Sequence, residues 1–153
     1  MNLSKAFTLV ELVVIIGITA VLSAVILFSI VVYIDKARDV NVEGNLAVLL
    51  PAGEDFYSNN NSYVGFCNSQ ILKSAYLQMA KHSSSVSCQD NNQHPGLCCS
   101  DLQASWASCT QGFAKPEFAH CVDSRGVKKQ ICSSSCTNQI DSCPDDDLSS
   151  CLP

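Results

Sequence analysis

From Phe7 to Ile34 the chain has no lysine, arginine, histidine or aspartate, and no proline occurs anywhere before Pro51. The first absence excludes a solvated surface for that stretch, and the second removes the usual cause of a break in a long helix. Cysteine is missing from the first 66 residues, although ten follow. Lysine and arginine total only 9 against 14 acids, giving a formal charge of −5. A chain so poor in clustered cations is not built to displace counterions from nucleic acid, so no nucleic-acid partner is expected. No Cys-x-x-Cys pair and no Gly-x-Ser-x-Gly turn occurs. Paired zinc knuckles and a serine-nucleophile elbow are therefore not expected.

What fills the first stretch is an apolar run of about 28 residues, residues 7–34, against roughly 20 needed to cross the hydrocarbon of a bilayer. It is nearly twice the upper limit of a secretory h-region, although Ala20, Ser23 and Ala24 supply small residues of the kind signal peptidase uses. Its single carboxylate, Glu11, stands out. A charge at membrane depth costs at least about 2.5 kcal/mol on insertion scales and calls for a partner. Within the chain no intramembrane cation is near, but cleavage between Ala6 and Phe7 would create one as the new α-amino group of Phe7.

The segment Ala6-Phe7-Thr8-Leu9-Val10-Glu11-Leu12, preceded by Lys5, resembles the leader and helix start of type IV pilins and pseudopilins. The resemblance implies removal of residues 1–6 by a prepilin peptidase, N-methylation of Phe7, and pairing of Glu11 with a neighbour's terminal amine during assembly. The family usually carries Gly before the cut, where this chain has Ala6, and often a proline within the membrane helix, which this chain lacks. An uncleaved signal anchor would share the hydropathy and leave Glu11 without a partner. Lys5 and the initiator amine precede the span, while Lys36 and Arg38 after it are balanced by Asp35 and Asp39. This weakly favours a cytoplasmic N-terminus and an exported body. Loss of the leader's one lysine would take the charge from −5 to −6.

Cysteine usage agrees with export. Cys67, Cys88, Cys98, Cys99, Cys109, Cys121, Cys132, Cys136, Cys143 and Cys151 all lie beyond the apolar run, even in number and dense, which argues for disulfides rather than reactive thiols. Spacing alone does not fix their connectivity. Cys132 and Cys136 have a zinc-compatible spacing and His82, His94 and His120 accompany them, but an oxidising compartment favours bridges. We therefore expect no metal and no cofactor, and histidines at the surface or in packing. Serine runs at 83–85 and 133–135 read as linkers.

Organisation along the chain follows in four parts: a leader at 1–6, a membrane and assembly helix at 7–34, an amphipathic continuation at 35–58, and a cysteine-rich head at 59–153. Ala37, Val40, Ala47 and Leu50 recur at helical spacing in the third part, with Pro51 and Gly53 expected to kink or end it. The Asn59-Asn60-Asn61 run predicts a turn. Residues 69–81 predict a second helix from Ile71, Leu72, Ala75, Tyr76 and Met79. Residues 102–109, 117–124 and 127–132 predict strands, with Arg125-Gly126 as a turn. The second of these resembles a hairpin of bacterial pilin heads, where an upstream Trp and Cys also occur, and on that likeness a Cys109–Cys121 bridge is the expected pairing. Asp145-Asp146-Asp147 reads as a solvated surface or, less simply, a calcium loop.

The fold class expected is α+β, a long N-terminal helix packed on a small disulfide-rich antiparallel sheet. The resemblance implies a structural subunit partnered by copies of itself and other pilins, the prepilin peptidase, the assembly platform and the inner membrane. A pseudopilin of a secretion or DNA-uptake machine, or a membrane-anchored cysteine-rich binding domain, are the alternatives, and no enzyme activity is expected.

Overall fold

The structure, a computed structural model, describes residues 7–80, 96–137 and 139–151. The fold is α+β. A 52-residue helix α1, Leu9–Asn60, leads into a 3₁₀ turn, Phe66–Asn68, and a helix α2, Gln70–Ala80. Four strands follow: β1 Cys98–Asp101, β2 Trp106–Gln111, β3 Phe118–Asp123 and β4 Lys128–Cys132. By its contacts the chain divides into two units, Met1–Asp35 and Lys36–Pro153.

In the first unit Val, Leu and Ile side chains are exposed on every side of the helix, and none of its apolar window is buried within the chain. It is one helix long and apolar enough to cross a membrane. Its hydroxyls turn inward on the backbone: Thr19 donates to the Ile15 carbonyl at 3.0 Å, Ser23 to Thr19 at 2.7 Å and Ser29 to Val25 at 3.2 Å. Those bonds leave no hydroxyl donor waiting for water, which is what a hydrocarbon surrounding demands.

In the second unit the continuation of α1 buries one stripe, Val42, Leu46, Leu49 and Ala52, at intervals of three and four residues. Pro51 does not end the helix, contrary to expectation, and Gly53 lies inside it. Proline removes the donor for the Ala47 carbonyl, at a cost of about 3 kcal/mol in an isolated helix. Burial of Leu49, Ala52 and Gly53 on either side of it holds the helix through that point. Gly53 serves close packing rather than termination, since a Cβ there would lie 2.5 Å from Trp106 Nε1. The helix stops at Asn61, whose φ of 53° is left-handed and whose N–H donates to the Tyr57 carbonyl at 2.7 Å, so the asparagine run does form the expected turn. The second helix also forms as expected, with Leu72, Ala75 and Met79 buried; Lys81, its expected last residue, lies outside the described residues.

The sheet is an antiparallel meander in the order β1-β2-β3-β4. Strand β1 had no forecast, because Cys-Cys-Ser-Asp carries almost no alternation of apolar and polar residues. Residues 102–105 form a tight turn closed by the Leu102 N–H on the Ser105 carbonyl at 2.8 Å, rather than the start of β2. Gly126, with φ 78°, makes the β3–β4 turn that Arg125-Gly126 predicted. Alternation along β2 and β3 then separates two cores. Trp106 and Val122 join the α1 stripe, Tyr63, Phe66 and α2, while Cys98, Cys109, Ala119, Cys121 and Ile131 line the opposite face with Cys136 and Cys143.

Four disulfides are described: Cys67–Cys99, Cys109–Cys136, Cys121–Cys143 and Cys132–Cys151. Cys98 is also disulfide-bonded, and Cys88 lies outside the described residues. The expected Cys109–Cys121 bridge is not formed. These residues are register partners on adjacent strands, but the segment after β4 crosses behind them and each sulfur bonds to it instead. Successive cysteines of that segment, Cys136, Cys143 and Cys151, are thereby anchored to β2, β3 and β4 in turn.

Candidate functional site

Residues 1–6, including Lys5 and Ala6, lie outside the described residues, as do His82, His94 and the serines at 83–85. Phe7 is 75 % exposed. Next to it, Thr8 caps α1: its hydroxyl accepts the Glu11 N–H at 3.3 Å, and its carbonyl takes the Leu12 N–H at 3.3 Å. Glu11 answers, with Oε2 accepting the Thr8 N–H at 2.9 Å and the Thr8 hydroxyl at 2.8 Å. Thr8-x-x-Glu11 is thus a capping box, two orphan donors of the first turn satisfied reciprocally. The Ser/Thr-x-x-Glu spacing before an apolar run was the available signal for it. Both Thr8 bonds fall on one carboxylate oxygen, so Glu11 keeps acceptor capacity on the other. Further along, a Cβ added to Gly17 would meet nothing within 4 Å, so no packing inside the chain requires glycine there.

A second constellation joins α1 to the sheet within the second unit. Asp39 accepts the N–H groups of Phe113 at 2.6 Å and Ala114 at 3.1 Å, pinning the β2–β3 loop, while Arg38 stacks over the Phe113 ring. His120 on β3 is buried with Nδ1 3.3 Å from Glu43 Oε1 and Nε2 3.9 Å from Asp39 Oδ1. Lys128 on β4 reaches Glu43 at 3.2 Å. Burial pushes the His120 imidazole below its ordinary value against the pull of Glu43 and Asp39, with Lys128 adding to the downward side. Glu43, His120, Lys128, Lys129 and Gln130 line a cleft of about 180 Å³, smaller than the roughly 300 Å³ at which ligand pockets begin. His120 is thus the packing residue the sequence suggested, and the carboxylates around it carried no readable signal.

Metal binding was tested against the donor sets present. Cys98, Cys109 and Cys136 bring their sulfurs within 4.8 Å of one another, but Cys109 and Cys136 are bonded together and Cys98 is bonded as well, so none is a thiolate. The aspartate run disperses: Asp145 pairs with Lys129, Asp146 accepts the Cys132 N–H at 2.9 Å, and Asp147 accepts the Ser149 N–H at 3.0 Å. Three carboxylates with three different partners do not form a calcium cradle.

A buried carboxylate that the sequence did not reveal organises the far face. Asp123 accepts the N–H groups of Arg125 at 2.9 Å and Cys143 at 2.9 Å, and the Arg125 guanidinium at 2.6 Å. Burial alone would raise its carboxyl, yet these bonds hold it below the ordinary carboxylate value.

No family model matches the chain, and comparisons with curated proteins and with solved structures found no match either.

Proposed function

We propose that the chain is a structural subunit of a type IV pilus-like surface filament, made as a precursor, cut between Ala6 and Phe7, methylated on Phe7 and assembled through residues 7–34. The observation that carries the reading is the pairing of an apolar helix, none of it buried within its own chain, with a single carboxylate one turn from the proposed new amine. Such a surface needs a host, first lipid and then other helices. Exchanging lipid for protein brings little bulk hydrophobic gain, so small residues such as Gly17 and Ala20 would set the approach of neighbouring helices. The Glu11 carboxylate and a neighbour's Phe7 amine would set register, a role in specificity rather than bulk stability. In this reading the N-terminus begins in the cytoplasm, the head is exported, and the peptidase, an assembly platform and other subunits are the partners.

One observation favours a second reading, a membrane-anchored cysteine-rich binding domain. The Thr8–Glu11 capping box gives the carboxylate a role inside its own chain, with no neighbour required. Glu11→Gln separates the two, because glutamine also completes a capping box but carries no charge. Filament formation is expected to be lost in Glu11→Gln and Glu11→Ala while membrane insertion of both is retained; normal incorporation of Glu11→Gln would sink the filament role of the charge. Intact-mass measurement of the extracted protein is expected to show a chain beginning at N-methylated Phe7, and a chain still beginning at Met1 would favour the anchored domain.

A further inference from the structure

The back face of the sheet places three buried sulfurs together. Cys98 and Cys109 are register partners on β1 and β2, Cys136 is bonded to Cys109, and all three Sγ atoms lie within 4.8 Å of one another. Cys98 and Cys109 are fully buried and Cys136 is nearly so. Cys98 Sγ also lies 3.5 Å from the Cys136 carbonyl oxygen, so the start of the C-terminal segment sits directly over it. A thiolate needs only a neighbouring disulfide sulfur to exchange. Here the neighbour is in place before any reaction begins.

We propose that Cys98, Cys109 and Cys136 form an internal thiol–disulfide exchange site through which a dithiol reductant releases the C-terminal segment from the sheet. The first step is reduction of the disulfide that holds Cys98. The dithiol supplies two electrons and two protons, becomes a disulfide itself, and leaves a thiol on Cys98 and on its former partner. In the second step the Cys98 thiol loses its proton and its sulfur attacks Cys109 Sγ. A Cys98–Cys109 bond forms, the Cys109–Cys136 bond breaks, and Cys136 leaves as a thiolate that takes up the proton Cys98 lost. The second step is neutral in electrons. Its direction follows from register: Cys98 and Cys109 already face each other across two hydrogen-bonded strands, whereas Cys136 is on a segment free to move away once cut. Burial lowers the thiolate fraction of Cys98, so proximity rather than acidity drives the exchange. The external reductant never has to reach the buried Cys109–Cys136 bond.

The test uses the full chain in detergent micelles, treated with limiting dithiothreitol, trapped by alkylation at intervals and mapped as non-reduced peptides. The expected intermediate has Cys98 linked to Cys109 and Cys136 alkylated while Cys121–Cys143 is still closed. In Cys98→Ser the opening of Cys109–Cys136 is expected to slow by about tenfold or more, because direct attack on a buried bond is all that remains. Opening at the parental rate in that variant would overturn the proposal. So would parental kinetics in which Cys109 and Cys136 are both alkylated with no Cys98–Cys109 species at any time, a measurement that stands even if the variant does not fold. A Cys98–Cys136 product would overturn it too, since that pairing keeps the segment tied to the sheet.

Discussion

The two faces of the four-stranded sheet solve one problem by different chemistry. Toward α1 the sheet presents Trp106 and Val122 to Val42, Leu46, Leu49, Phe66 and Leu72, a core of ordinary aliphatic and aromatic contact. The other face offers only Ala119 and Ile131 besides its cysteines, and covers itself with a segment that has no strand and no α-helix. Burial of a large apolar side chain is worth about 1.5–3 kcal/mol, and a disulfide typically about 2–4 kcal/mol by limiting the unfolded chain. The residues of the second face are too small to hold the segment by burial. Covalent bonds supply there what side-chain volume supplies on the first, so one face is expected to be indifferent to redox conditions and the other to depend on them.

Full reduction should produce the largest effect and test that division directly. Three bridges anchor residues 133–151, so their loss is expected to remove roughly 6 kcal/mol or more and free the segment. Trp106 is the single tryptophan and sits in the first core. Under reduction its fluorescence should stay blue-shifted at denaturant concentrations where protease already removes the C-terminal segment; simultaneous loss of both signals would mean the faces are one cooperative unit. The reciprocal experiment strikes the first face. Trp106→Ala should cost about 3–5 kcal/mol in a denaturant melt of the oxidised chain. Gly53→Ala, which forces a methyl against the indole, should cost about 1–3 kcal/mol. A melt of Gly53→Ala unchanged from the parent would show that the helix tolerates the methyl by shifting. The indole N–H finds no acceptor among the described residues, so its burial already costs something that a small displacement could relieve.

The first face was far more legible from sequence than the second. Leu72, Ala75 and Met79 announced α2 by their period, and Arg125-Gly126 marked a hairpin because a left-handed residue is needed there. Glu11 stood out because a lone carboxylate in an apolar run is costly wherever it sits. Strand β1 was invisible: its cysteines and serine give no period-2 signal, and it forms because β2 offers it a partner. Pro51 misled because local preference counts the lost hydrogen bond and not the burial on either side. The Cys109–Cys121 expectation had the neighbours right and the bond wrong, since no local pattern could place Cys136 and Cys143 behind the sheet. Asp39, Glu43 and Asp123 read as surface acids and became functional parts of the head only through partners 74 residues away in the case of Asp39 and 20 in that of Asp123.

Asp123 offers a middle-sized test, because it holds the second face by hydrogen bonds rather than covalently. Asp123→Ala leaves the Cys143 and Arg125 N–H groups without their acceptor, and the loss is expected to be about 2–4 kcal/mol at neutral pH. Its folded carboxyl lies below the ordinary value, so the stability it gives is present above the unfolded pKa near 4 and is lost as pH falls through the lower folded value. Acid melts of the parent should therefore steepen below about pH 4, and those of Asp123→Ala should be flatter over the same window. Equal slopes would show that other carboxylates account for acid sensitivity.

The smallest expected effect belongs to His120, and it falls on the first face. Burial, the largest influence, disfavours the imidazolium; Glu43 and Asp39 from α1 favour it, and Lys128 from β4 opposes it, with a net downward displacement. A base with a lowered folded pKa is bound more weakly to its proton when folded than when unfolded. Its contribution is complete above the unfolded value near 6.5 and declines as pH falls below it toward the folded value. Stability should thus drop modestly between about pH 6.5 and 5, ahead of the Asp123 window, and His120→Gln should remove that early step while leaving the steeper acid phase. The imidazole proton shifts in an NMR titration check the premise independently. Midpoints above that of a free histidine would mean that Glu43 and Asp39 prevail over burial, and the sign of the early step would reverse: acid would then tighten the attachment of α1 to β3, and the first face would share with the second a dependence on solution conditions that its packing alone does not suggest.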